Sequence, residues 1–390
     1  MGRCFMKLLK KQYLSHENIN CTKKNDTIVI RRGDDNGFFL PGLHYVNKSF
    51  EKFSFIDIAF DLGKISNWRI LLDECLYISK DHSLLKFRFN PTKFVSLYVL
   101  MNFIFQYSKF NGYDIELQSR DSDLYCFEIN KNNYIKEPDK SWTFGLLYNS
   151  EKNNNLSEFI KSIRKAFSGK NINYEIIIVS KNSPDLEPDS HIRWVAYSDK
   201  FDYLGPISTK KNIIAENALY ENIAIFHNRY SISSDWVSIF DKFGYDFQVL
   251  SGKQILSSGA DFPSWVALGT RDSYSKGFIL NDDEFHPFLY VNGGVIICKK
   301  KILRDCEFNK FLFWNQCEDV EWSRRLISAG ITPRYIPVLI ASVLSHRNGY
   351  MDGFKKRNKF VEYCFGYPIC MSDFNPLMKK IRKITSKFRK

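Results

Sequence analysis

Two adjacent carboxylates, Glu318 and Asp319, stand before Val320-Glu321-Trp322-Ser323-Arg324-Arg325-Leu326, a stretch that reads as a loop-to-helix junction with the helix stopping at Gly330. Carboxylates at a helix start are favoured by its positive end, so capping is one complete account of them. Proton abstraction from a hydroxyl is the other chemistry such a group can perform. Upstream, Tyr290 to Ile297 reads as an apolar strand entered through Asn292-Gly293-Gly294. Two glycines there either make a simple turn or let backbone approach a ligand closely. His227-Asn228-Arg229 closes another apolar run, and His346 follows a third, while Lys210 and Lys211 offer charge for an anionic group. A lone histidine is more often structural, which makes His227 and His346 weak metal candidates. Trp314 and Trp322 flank the carboxylates and Trp265 lies further upstream, each a core residue by default and a sugar-stacking face in the alternative.

The elements that must position these residues follow from hydrophobic periodicity. Residues 143–148 and 174–179 are short apolar runs suited to buried strands, and the helix-like 156–167 lies between them. That is a βαβ unit and predicts a parallel sheet. A strand at 192–197, a helix at 210–219 and strands at 223–226 and 337–344 continue the alternation; the Asn153–Asn155 run reads as a loop. In open sheets of this kind ligands bind at the carboxyl ends of strands. That singles out Tyr148-Asn149-Ser150, Lys181-Asn182 and the stretch from His227 to Tyr230.

Taken together, Asn292-Gly293-Gly294 and Glu318-Asp319 resemble the acceptor half of family 2 type GT-A glycosyltransferases, whose "ED" dipeptide carries a catalytic base. The resemblance covers residues 142–350. It implies an α/β fold in which a GT-A, Rossmann-like, mostly parallel sheet forms residues 141–350. It further implies Asp319 as base with Glu318 beside it, and an acceptor site with Asn292, Gly293, Gly294 and Trp314. Tyr148, Asn149, Ser150, Lys181, Asn182, Lys210, Lys211, His227, Asn228, Arg229 and His346 fall where the nucleotide-sugar donor would bind. The activity implied is that of an inverting hexosyltransferase acting on a glycan or lipid-linked glycan acceptor in bacterial capsule or lipopolysaccharide synthesis. Two departures stand out. Ser180, Lys181 and Asn182 replace the acidic residues that usually meet the nucleobase, and the metal-holding Asp-x-Asp appears as His227-Asn228-Arg229. A hard divalent cation such as Mn²⁺ or Mg²⁺ prefers oxygen ligands, so metal dependence is weakened and a weak or absent metal site is expected. A non-catalytic carbohydrate- or partner-binding protein on a decayed transferase fold is the rival reading.

Residues 1–135 read as a smaller accessory α/β unit. Its segment 55–62, helix-like stretch 68–76, strand 83–89 and hairpin 113–118 with 124–129 resemble the C-terminal half of a Rossmann-like methyltransferase. The Gly-rich loop that would approach S-adenosylmethionine is missing, since Arg31-Arg32-Gly33-Asp34-Asp35 does not form one. A degenerate remnant is expected. The 390-residue chain, 44% hydrophobic and 25% charged, is long enough for two cores. Its net charge of +13 favours an anionic partner, and Lys379, Lys380, Arg382, Lys383, Lys387, Arg389 and Lys390 within the tail 351–390 suit either an anionic inner-membrane face or plain solvation. Nine cysteines without CxxC spacing predict reduced, mostly buried thiols. With no signal-peptide pattern, a cytoplasmic, peripherally membrane-associated protein is expected. No helix-turn-helix, RNP or zinc pattern supports nucleic-acid binding.

Overall fold

The computed structural model describes residues 19–32, 52–64, 68–92, 95–131, 139–149, 153–268, 277–280, 282, 289–346 and 349–354. Ser150, Arg347, Asn348, Asp283, Glu284 and the basic tail lie outside these residues.

The N-terminal layer contains strands β1 (Ile19–Lys24), β2 (Thr27–Arg32), β3 (Phe53–Asp61), β4 (Ser79–Arg88), β5 (Asp114–Asp121) and β6 (Leu124–Asn130), with helices α1 (Trp68–Ile78) and α2 (Leu97–Asn111). Its sheet runs β1-β2-β3-β4-β6-β5. Pairing is parallel from β2 through β4 and antiparallel at the β5–β6 hairpin. In α2 the positions Leu100, Phe103, Ile104 and Tyr107 share one helical face, and all are buried.

The second layer begins with β7 (Trp142–Leu147), α3 (Asn153–Phe167), β8 (Tyr174–Ser180), β9 (Ile192–Ala196), α4 (Ile207–Asn217), β10 (Asn222–His227), β11 (Tyr230–Ile232) and α5 (Trp236–Phe243). It continues through β12 (Val249–Leu256), β13 (Asp261–Phe262), β14 (Trp265–Ala267), β15 (Phe278–Ile279), β16 (Leu289–Val291), β17 (Val295–Lys299), α6 (Lys300–Asp305), α7 (Glu318–Ser328) and β18 (Arg334–Val343). The central sheet has the order β11-β18-β12-β17-β10-β7-β8-β9, with β14, β15 and β16 forming a small sheet of their own. Pairing is parallel at β10–β7, β7–β8, β8–β9 and β12–β18, so the molecule is α/β with a mostly parallel central sheet. Strand β7 is buried throughout and β8 at every residue but the first, as expected of strands covered on both faces. One face packs α3 and α5 through an aromatic core in which Trp142 meets Trp236 at 5.2 Å and Phe240 at 4.7 Å. The other face buries Ile214 of α4, Ile302 of α6 and Trp322 of α7.

Two expectations need correction. Asn153–Asn155 is the first turn of α3 and not a loop. The run from Tyr290 to Ile297 is not one strand: β16 ends at Val291, the chain turns at Asn292–Gly294, and β17 enters the central sheet antiparallel to β10. A continuous apolar run conceals such a break because both strands are buried. No helix among the described residues is long and apolar enough to cross a membrane.

Candidate active site

Strands β7, β8 and β10 lie side by side and parallel, so their carboxyl ends open together. There they border a cleft of about 560 Å³ lined by Tyr148, Asn149, Lys181, Asn182, Lys210, His227, Asn228, Arg229, Trp314 and His346, among others. These residues come from separate strand ends, from the turn before α4, from the loop before α7 and from the end of β18. Asp202 is the one carboxylate among the described residues lining it, against the cations Lys181, Lys210 and Arg229, so the cleft suits an anion. Burial lowers the Lys210 pKa, opposed by Asp202.

Arg229 is held by rings: its guanidinium lies 5.3 Å from the Tyr350 centroid, 5.5 Å from Tyr230 and 5.9 Å from Phe262. Its Nε is buried without a hydrogen-bond partner, as is Nε2 of His227. Burial, with Lys211 and Arg229 nearby, pushes the His227 imidazole well below its usual range, so it is neutral at physiological pH. The Asn228 side-chain amide donates to the Asn149 carbonyl at 3.2 Å, which ties the ends of β10 and β7 together.

Glu318 and Asp319 open α7, and their roles differ sharply. Glu318 is buried and accepts from Lys211 Nζ at 2.9 Å, with the lysine fully buried over the Phe308 ring. Lys211 thus sits behind the cleft wall and not in it. Asp319 is half-buried and accepts from the Gly293 N–H at 2.8 Å and from its neighbour Val320 N–H at 2.8 Å. Desolvation and the adjacent Glu318 charge raise its pKa to about 6, against the lowering pull of Lys211 and the two N–H donors. A Cβ at Gly293 would lie 2.8 Å from Glu318 Oε1 and 3.0 Å from Asp319 Oδ2. Only glycine allows the turn to press on both carboxylates. The next residue along, Gly294, accepts from the His227 N–H at 3.1 Å. Asp319 is therefore joined to the cleft through Gly293, Gly294 and His227.

Asn292 is buried, and its amide donates to the Pro263 carbonyl at 2.8 Å and Tyr350 hydroxyl at 3.0 Å while accepting from Gly294 N–H at 3.0 Å. It shapes the turn from behind. Trp314 is 56% exposed and lines the cleft, whereas Trp322 and Trp265 are core residues, stacked on Phe308 and Tyr335 respectively. Asp202 to Ile207 also line the cleft, a segment for which the Gly205-Pro206 dipeptide is the one turn signal in the sequence. As for a divalent cation, no group of three His, Cys, Asp or Glu residues able to hold one occurs among the described residues. Two imidazoles, an amide and a guanidinium do not make a hard-cation site.

No known protein family matches the sequence, and no curated protein matches it. Among solved structures, the chain is similar to S. aureus TarS 1-349, at 15% identity and a TM-score of 0.35 over 52% of this chain and 60% of that one. The complex of S. aureus TarS 1-349 with UDP-GlcNAc gives 13% identity and a TM-score of 0.36 over 57% of this chain and 64% of the other. S. aureus TarS itself gives 15% identity and a TM-score of 0.36, with 55% of this chain and 38% of that one covered. The similarity thus spans less than two thirds of each TarS chain, and no residue role passes across at such identity.

Proposed function

We propose that the chain is a glycosyltransferase that moves a sugar from a nucleotide-diphosphate donor to a glycan hydroxyl, inverting the anomeric centre, in synthesis of a bacterial capsule or lipopolysaccharide. The observation that carries this reading is a half-buried carboxylate, Asp319, fixed by the Gly293 N–H one turn from a cation-lined cleft at parallel strand ends. In this reading Tyr148, Asn149, Lys181 and Asn182 hold the nucleoside, while Lys210, Arg229 and His346 meet the diphosphate. Asp319 takes the acceptor proton as the hydroxyl oxygen attacks the anomeric carbon; the carbon–oxygen bond to phosphate breaks, and its electron pair leaves with the nucleoside diphosphate. Charge developing on that leaving group is offset by Lys210 and Arg229 of the cleft wall, which supply the positive charge directly. Glu318 and Lys211 position the start of α7. The N-terminal unit, residues 1–135, is an accessory part without chemistry of its own, and the basic tail rests on an anionic inner-membrane face.

The test is donor hydrolysis by the full chain against a panel of nucleotide sugars, with Mn²⁺ or with EDTA, beside Asp319→Asn. Turnover of one donor that survives EDTA and falls about a hundredfold or more in the variant is expected. Turnover unaffected by the substitution would remove Asp319 as base. Nucleotide binding without any turnover would favour a non-catalytic carbohydrate-binding role.

A further inference from the structure

Two aromatic side chains that the core does not use, Tyr203 and Trp314, line the cleft, and Phe201 and Phe311 stand exposed on the same two segments, two residues before Tyr203 and three before Trp314. Tyr203 is 79% exposed, Phe311 76%, Trp314 56% and Phe201 37%. Clusters of this kind mark binding surfaces more often than scattered apolar residues do. These rings are held out by a rigid scaffold. Trp314 N–H donates to the Gly205 carbonyl at 2.8 Å, and Gly205, at φ +69°, has no room for a Cβ, which would meet Trp314 Cβ at 2.9 Å. Ser208 donates to the Leu312 carbonyl at 2.7 Å, and Asn212 exchanges two 2.8 Å hydrogen bonds with the Phe308 backbone. Asn315 and Cys317 adopt φ of +66° and +61°, a conformation that non-glycine residues enter at some cost and that sets the path into Glu318 and Asp319.

Resting on the glycosyl-transfer reading, we infer that this rim is the platform on which a saccharide acceptor lies, its ring faces stacked on Tyr203, Phe311 and Trp314. Tyr203 and Trp314 belong both to the rim and to the cleft wall, so the surface is continuous with the donor cleft. Pyranose rings present an apolar C–H face to aromatic side chains and hydroxyls to carboxylates, and Asp202 lines the same wall. An anionic bilayer is less well matched: Lys200 is flanked by Asp199 and Asp202 on the same segment, and the surface leads into a concavity.

The test uses an immobilised panel of hexose and N-acetylhexosamine oligosaccharides, free and carried on a polyprenyl diphosphate, with the affinities for UDP, GDP and CDP read on the same protein. The wild-type chain is expected to bind at least one saccharide, and the arm in which it binds tells a free glycan from a lipid-linked one. Phe311→Ala and Tyr203→Ala should weaken that binding about tenfold or more, while Phe311→Tyr keeps it, because the aromatic face is retained. Unchanged nucleotide affinity in Phe311→Ala would show the fold intact. Nucleotide binding with no saccharide bound, or aromatic variants that bind saccharide like wild type, would overturn the platform and leave the glycosyl-transfer reading standing. Loss of co-sedimentation with phosphatidylglycerol vesicles in Phe311→Ala, with saccharide affinity unchanged, would overturn it in favour of a membrane contact. Failure to bind any nucleoside diphosphate would take both readings down.

Discussion

Asp319 illustrates how one side chain carries opposing demands. Its folded-state pKa, raised to about 6 from the model-compound value of 3.8, leaves it mostly ionised at neutral pH and able to accept a proton. Transfer rates, if Asp319 is the base, should therefore rise with pH through about 6 and then level off, as a pH profile of kcat/KM would read. The same shift costs stability. Since burial raises the folded-state pKa, the cost is absent below the unfolded value, grows as pH rises between the two values, and is constant above about 6. Asp319→Asn should accordingly melt higher than wild type at pH 8, with a smaller gain at pH 4.5. Equal gains at both pH values would mean that the charge is not the cause. At this scale the sequence was informative about Glu318 and Asp319 as a pair. It could not say which would be buried against a lysine and which held by the Gly293 turn, because that choice depends on Lys211, more than a hundred residues away in the chain.

Helices α4 and α7 meet through that lysine. A buried pair left with one charge is strongly unfavourable, so Lys211→Met is expected to destabilise the protein by about 3–5 kcal/mol in urea unfolding. Adding Glu318→Gln should recover a large part of the loss, and a double variant no better than the single would mean the pair is not the source. Elements with strong periodicity were legible: β7, α3, β8 and the start of α7 fall within a few residues of their expected bounds. The break at Asn292–Gly294 was legible only as one of two readings of the glycines, since a turn between two largely buried strands leaves no polar signal beyond its own residues. Helix α2 went unread, although Leu100, Phe103, Ile104 and Tyr107 have helical spacing, because they sit inside an almost unbroken apolar stretch.

The two layers of the molecule are joined by a buried polar contact. Arg334, at the start of β18, pairs with Glu74 at 3.1 Å and Asp73 at 3.4 Å on α1 and lies 3.6 Å over the Tyr77 ring. Gln248 adds a 2.9 Å hydrogen bond to Asn111. Burial raises the Glu74 carboxyl to about 8 and Asp73 to about 6, so both remove stability as pH climbs from their unfolded values towards those figures. Lys131, lowered to about 7 by burial, works the other way, adding stability as pH rises from there towards its unfolded value. Glu74→Gln should flatten the fall in melting temperature between pH 5 and 8, and an unchanged slope would place its origin elsewhere. Nothing in the sequence near residue 334 announced this partner, for its two carboxylates belong to a distant helix. The strand that begins at Arg334 ends beside the cleft, where the Leu344 N–H donates to the Arg229 carbonyl at 2.8 Å. Heredity is constrained by this arrangement. A crossover between related genes falling at 132–138 would bring an arginine fitted to one pair of acids against an unfamiliar surface, and the misfit would be felt at the far end of the same strand. The halves of this chain are thus expected to be inherited together, and what the cleft accepts should change by point substitution more readily than by exchange of parts.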